Sequence, residues 1–281
     1  MAPFSTTSPT SVTSIAPHFG RSRTTSMYNR DTSKPSSPTM LQISTKFGSP
    51  QAVAAGSPSA GPIASHVVSI NWENVLLPSA WLAAQMRVDM SVQSLQNAQQ
   101  LIAQTPQLKA LLAGIEENAI ELLTKAMEAA GAVYIFSEGT VQSVELSCSV
   151  FFPRLTACLR NATRGVFVIG TPETSFSPQE LAEWKVNILR TVCGERIAAG
   201  NDLARAKTRR FGVIALCASD RDVAASDKLT AVAPYAVTKS VKAAVGGASP
   251  LSLEAFSAQL QKLAQFVTQA LAFNGAIRIA L

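Results

Sequence analysis

Histidine is almost absent from this chain, with two in 281 residues, His18 and His66. The four cysteines, Cys148, Cys158, Cys193 and Cys217, are widely spaced and form no Cys-x-x-Cys pair. Zinc centres draw on clustered cysteine and histidine, so the sequence argues against a zinc enzyme and against a disulfide scaffold. The cysteines are expected to be reduced and to pack as small hydrophobes. Charged residues make up only 15% of the chain and hydrophobic residues 47%, which is ample for a packed core. Yet no stretch reaches the roughly 18 to 20 apolar residues that span a bilayer. The N-terminus also lacks the apolar centre of a secretory signal. These absences predict an intracellular protein, cytoplasmic or cytoskeletal, with no membrane partner. Asn161-Ala162-Thr163 has the form of a glycosylation sequon but lacks a secretory context.

Acid is the other scarcity. Residues 1–65 hold Arg21, Arg23, Arg30, Lys34 and Lys46 against a single acid, Asp31, so most of the net charge of +6 lies there. The segment is rich in Ser, Thr and Pro without sustained apolar periodicity, and such a segment cannot bury enough surface to offset its ordering entropy. A tail disordered in isolation is expected over 1–65. Ser8, Ser37, Ser49 and Ser57 each precede a proline, so proline-directed phosphorylation could tune its charge. The expected partner is an acidic protein surface, within a complex or on a cytoskeletal filament. Nucleic acid ranks lower, because the tail lacks the aromatic residues of a base-stacking surface. Organelle import is a third reading for an acid-poor, Ser-rich start, although the first twenty residues contain no Arg or Lys.

From His66 onward, apolar runs alternate with helical periodicity. Val67-Val68-Ser69-Ile70 reads as a buried strand, and Pro78-Ser79 as a helix start. Residues 80–90 and 92–104 have helical spacing, with Val92, Leu95 and Leu101 on one face. Thr105-Pro106 reads as an N-cap followed by proline at the first helical position. The next helix, to about Ala130, carries Leu108, Leu111, Leu112, Ile115, Ile120, Leu122, Leu123 and Met127 at three-to-four spacing, and Gly131 ends it. Strand 133–136, helix 141–148, a short helix at 155–159 and strand 166–169 follow. Ser177-Pro178-Gln179-Glu180 is a strong helix start, and that helix is expected to reach about Val192. Short strand 196–199, a turn at Gly200, helix 202–208, strands 211–217 and 235–241, helix 251–273 and strand 276–281 complete the series. Strands alternating with helices predict an α/β fold with an open, mostly parallel, doubly wound sheet. Functional residues in such sheets sit beyond the carboxyl ends of the strands. Asn71, Ser137 and Gly200 are therefore expected along one edge.

The run His66–Leu82, HVVSINWENVLLPSAWL, resembles the first motif of a protist and oomycete branch of the haloacid dehalogenase superfamily. Trp72, Leu76-Leu77-Pro78-Ser79 and Trp81-Leu82 match that branch, whereas its Asp-x-Asp-x-Thr positions read Asn71, Glu73 and Val75. Val133–Gly139 with Val144–Ser147 resembles the second motif and Trp184-Lys185 the third. Gly200-Asn201-Asp202-Leu203-Ala204-Arg205 resembles the fourth. The resemblance covers roughly 66–281 and implies a Rossmannoid domain, with 83–130 as a minimal helical cap.

What the resemblance implies about chemistry turns on the replaced acids. The family's first Asp attacks phosphorus, and an amide at Asn71 is a far poorer nucleophile. Glu73 keeps the carboxylate of the acid-base position but adds a methylene, displacing it by about an ångström. Asn71 and Asn201 remove both charged ligands of the Mg²⁺ site, and Arg205 puts a cation where an acid is usual. A non-catalytic pseudophosphatase without a metal cofactor is therefore expected, acting as a structural or interaction protein in a larger assembly. Two alternatives remain: an atypical Mg²⁺-dependent phosphatase using Glu73 and Asp202, or a phosphate-binding sensor using Ser137 and Lys185. Against the sensor stands a purely structural reading, in which Ser137 caps the next helix and Lys185 pairs with Glu73 or Asp202.

Overall fold

The computed structural model describes residues 41–42, 63–159, 165–171, 177–199, 210–233 and 235–281. The basic residues Arg21, Arg23, Arg30, Lys34 and Lys46 lie outside these, as do Gly200–Arg205, the expected helix 202–208 and the sequon.

Among the described residues seven strands form one sheet: β1 (Leu41–Gln42), β2 (Ile63–Asn71), β3 (Val133–Ser137), β4 (Val166–Gly170), β5 (Arg210–Cys217), β6 (Ala236–Lys242) and β7 (Ile277–Ala280). Every pairing is parallel, in the order β1-β7-β6-β5-β2-β3-β4. From central β2 the chain steps outward through β3 and β4. It then returns to the other side of β2 for β5, β6 and β7. The reversal places a topological switch point between β2 and β5, where open α/β sheets leave a crevice beyond the strand ends.

The helices are α1 (Ser79–Met86), α2 (Val92–Gln104), α3 (Pro106–Ala129), α4 (Val141–Phe151), α5 (Pro153–Leu159), α6 (Pro178–Ala199), α7 (Asp220–Val232) and α8 (Leu253–Ala272). Side chains alternate across the sheet, as strands require. Val68, Ile70, Ile135, Ile214 and Val241 join the core under α3 and α8. Val67, Phe136, Phe211 and Val213 join Leu189 and Cys193 of α6 and Leu229 of α7 on the other face. Both faces are thus covered, and the expected fold class holds. Among the described residues no helix is long and apolar enough to cross a membrane, and Cys148, Cys193 and Cys217 are buried without a disulfide.

Several local expectations need correction. Residues 196–199 are the end of α6, not a strand. Gly194 costs a helix only about 1 kcal/mol, too little to stop it without a proline or a cap. Helix α7 went unread because its composition is polar, with only Val223, Ala225, Ser226 and Leu229 among the residues it buries besides Asp222. On α2, Leu95 is buried but Val92 and Leu101 are exposed, and on α3 Leu111 is exposed. Thr105 precedes α3 but makes no side-chain cap bond. The reciprocal box expected at the start of α6 does form: Ser177 N–H donates to Glu180 Oε2 (2.7 Å) and Glu180 N–H to Ser177 Oγ (3.3 Å). Of residues 83–130, expected as a cap, α2 and α3 form a helical pair, and α3 crosses from β2 to β3 while packing along α8.

One buried charge stands out in the sheet. Lys239 of β6 is fully buried, and its Nζ donates to the Ala270 carbonyl in the last turn of α8. Carbonyls there lack intrahelical partners and favour a cation. His66 Nε2 lies 3.2 Å from Nζ. The imidazole crosses β5 at Gly212, where an added Cβ would sit 2.2 Å from the ring. Burial, then the nearby Arg210, push the Lys239 ammonium down from 10.5 to about 8. Burial, then Lys239, push His66 down from 6.5 to about 4. Both groups bind protons less tightly in the folded state, so stability rises with pH wherever only the unfolded chain is protonated. Unfolding free energies from urea denaturation should climb from pH 8 towards 10.5, by up to about 3 kcal/mol in total, and fall as pH drops from 6.5 to 4. Lys239→Met should flatten the alkaline rise; a rise that persists in this variant would assign it to another group.

Candidate functional site

Asn71 ends β2 on the face covered by α6 and α7, because residues 67, 69 and 71 share one side of the strand. The chain then turns tightly. Leu77 N–H donates to the Trp72 carbonyl (2.9 Å) and Asn74 N–H to the Leu77 carbonyl (2.7 Å). Asn74 takes the left-handed conformation at φ 56°, which asparagine tolerates better than most residues. Its Oδ1 accepts from Ala80 N–H (2.8 Å), tying the turn to the start of α1. Trp72, Val75, Leu76 and Leu77 are all buried beneath this turn. Val75 is thus a core residue and presents no group to the crevice.

Three side chains close the end of β2. Lys185, about two turns into α6, donates from Nζ to Asn71 Oδ1 and to Asp222 Oδ1, the latter at 2.9 Å. Asn71 Nδ2 donates to Asp222 Oδ2 (2.9 Å). Each of the three therefore bonds the other two. Asn71 is 4% exposed, Lys185 6% and Asp222 6%, so the trio is cut off from bulk water. Phe136 lies against it, its ring centroid 5.2 Å from the ammonium, and is held edge-on by Trp184 at 5.9 Å.

Asp222 sits at the third position of α7, and Ser219 is the N-cap. Ser219 Oγ accepts from Asp222 N–H (3.2 Å), and Asp222 Oδ2 accepts from Ser219 N–H (3.0 Å), Ser219 Oγ–H (2.8 Å) and Ala218 N–H (3.2 Å). This capping box fixes the carboxylate at the positive end of α7. Burial pushes the Asp222 carboxyl up, but the Lys185 charge and hydrogen bond, with the bonds from Ser219 and Asn71, outweigh it. The group is held below the ordinary carboxylate range.

Ser137, at the end of β3, engages a different acid. Its hydroxyl donates to Glu73 Oε1 (2.5 Å), and Glu73 Oε2 accepts from Glu138 N–H (3.2 Å). Ser137 does not cap the next helix; Thr140 does, accepting from Ser143 N–H (3.1 Å). Burial, then repulsion from Glu73 and Asp222, push the Glu138 carboxyl up, with Arg221 and Lys185 opposing. Three acids, Glu73, Glu138 and Asp222, thus face two cations, Lys185 and Arg221.

The structure brings together Asn71, Ser137 and Lys185 among the residues expected from sequence, with Glu73 beside Ser137. Asn201, Asp202 and Arg205 lie outside the described residues. The structural reading of Lys185 holds in kind, with Asp222 as the acid it pairs with among the described residues, in place of Glu73. Sequence reasoning missed Asp222. Its signal was Ser219-x-x-Asp222 directly after an apolar run, a capping pattern with Asp in place of the usual Glu or Gln.

The hollow bounded by Asn71, Phe136, Lys185 and Asp222 holds about 20 Å³, room for about one water. A divalent cation does not fit this donor set. Both oxygens of Asp222 are already engaged, and an ion there would sit against the Lys185 ammonium. A larger hollow of about 450 Å³ opens on the far side of Glu73 and Ser137, between the β2–α1 turn and α4. Glu73, Asp89 and Glu138 line it, so its walls repel an anion.

No family model matches the chain, and neither does any curated protein or any solved structure.

Removing one member of a buried ion pair strands the other. Asp222→Ala should cost about 3 to 5 kcal/mol in urea denaturation. Adding Lys185→Met should recover part of that loss, because the double variant no longer buries an unpaired ammonium. A double variant as unstable as the sum of the single ones would show that the pair is not coupled.

Proposed function

We propose that this protein is a degenerate relative of the haloacid dehalogenase superfamily, a non-catalytic pseudophosphatase that serves as a structural or interaction protein in a larger assembly. The resemblance in sequence is supported by where its parts lie. Asn71 and Lys185, from separate segments, meet at the switch point beyond β2, and Ser137 lines the same small hollow while bonding Glu73. In this reading the acid of the fourth motif is Asp222, in the first turn of α7 after β5, rather than one in the segment 200–205.

The observation that carries the non-catalytic reading is the closed bonding of Asn71, Lys185 and Asp222. A phosphoryl-transfer site needs a free nucleophile, a cation with charge to spare and space for the phosphoryl group. Here the nucleophile position is an amide, the lysine is neutralised by a carboxylate, and the hollow beside them takes about one water. The same neutralisation disfavours the phosphate-sensor alternative. The basic residues of 1–65 then supply a second contact, for a partner with an acidic surface.

Incubation of the full chain with a generic phosphomonoester and Mg²⁺ should give no turnover above the blank. Affinity capture from source cells should recover a stable assembly, and a chain lacking residues 1–65 should recover less of it. Mg²⁺-dependent hydrolysis that disappears in Glu73→Ala would replace this reading with the atypical phosphatase. A free monomer in both captures would remove the interaction role.

A further inference from the structure

We propose that Lys185 and Asn71 join covalently: the lysine amine displaces ammonia from the asparagine carboxamide, forming an intramolecular isopeptide bond with Asp222 as the proton carrier. The reaction needs an amine beside an amide carbon, a carboxyl group touching both nitrogens, and a place from which water is excluded. All three are present. Nζ donates to Asn71 Oδ1, which is one carbonyl bond, about 1.2 Å, from Cγ. Nζ has only to move from the oxygen to the carbon of the same carbonyl to reach a near-attack arrangement. Asp222 bridges the reactants, with Oδ1 2.9 Å from the lysine nitrogen and Oδ2 2.9 Å from the amide nitrogen. Its own position is fixed by Ser219 and Ala218. Burial of the trio and the small hollow beside it leave little water to compete with the amine.

The steps balance without an outside reactant. A proton passes from the Lys185 ammonium to Asp222 Oδ1, the carboxylate oxygen it already touches. The Nζ lone pair then forms the bond to Cγ. The Cγ–Nδ2 bond breaks, and Asp222 returns protons to the departing nitrogen. The products are a secondary amide, one ammonium ion and the carboxylate in its original form. The bond would link the end of β2 to α6 across 114 residues of sequence. It does not depend on the functional reading above.

The test is the intact mass of the denatured full-length protein, freshly purified and after incubation at neutral pH, followed by protease digestion and tandem mass spectrometry. The expected result is a mass lower than the sequence mass by one ammonia. A branched peptide should join the segment holding Asn71 to the segment holding Lys185. Lys185→Arg and Asp222→Ala should retain the full mass, whether or not they fold. Full sequence mass in the unsubstituted protein at both times would overturn the proposal. So would a loss of ammonia confined to a peptide holding Asn71 alone, the product of cyclisation onto its own backbone.

Discussion

The rest of the site depends on the Lys185 ammonium, buried behind the sheet with 6% exposure. A charge in that position must be matched, because the desolvation of an unpaired ion costs several kcal/mol. Asp222 supplies the opposite charge, and the start of α7 supplies the hydrogen bonds that keep Asp222 ionised. The amide at Asn71 completes the trio without adding charge. It accepts from the lysine on one side and donates to the carboxylate on the other. A carboxylate at position 71 would lose that donor and place a second negative charge against Asp222. Asparagine there is thus matched to the pair it touches.

The order of the strands decides who can take part in this arrangement. The reversal between β2 and β5 opens the sheet edge at one point, and Asn71 stands at that point. Asp222 follows β5 and reaches it from one side. Lys185 descends from α6, on the layer that covers the same face. Ser137 ends β3 with the opposite parity to Phe136, so it turns from the trio and meets Glu73 instead. The two polar groupings share a neighbourhood but divide the acids between them, which leaves Glu138 short of cations and its proton more tightly held.

Much of this was legible from sequence where burial speaks through pattern. The apolar runs of β2, β3 and β5, the proline start of α6 and the long periodic stretches of α3 and α8 announced themselves because strand and helix periods differ. Asn71 and Ser137 could be singled out by their places after those runs, and Lys185 only through the resemblance carried by Trp184-Lys185. Asp222 could not be found the same way. Its helix, α7, buries small and polar residues, so the apolar period is weak, and its carboxylate is conspicuous only once Ser219 is seen as a cap. The strand expected at 196–199 failed for the converse reason. Four residues with one isoleucine carry no period, and the helix already under way simply continued. Short segments are settled by their neighbours rather than by their own composition.

Two buried lysines on opposite faces of one sheet show what distinguishes the site from ordinary core. Among the described residues Lys239 meets the Ala270 carbonyl and His66 and no carboxylate, so burial dominates, Arg210 adds to it, and its proton is loosely held. Lys185 meets a carboxylate that is itself fixed by a helix start, so there charge pairing dominates and the carboxyl stays ionised. The first arrangement plugs the end of a helix at a cost that varies with pH. The second ties β2, α6 and α7 together at the one place where the sheet would otherwise open. That crevice is therefore occupied by the protein's own side chains. The acid-lined hollow beyond Glu73 and the basic residues of the first 65 carry opposite charge, so they would suit different partners.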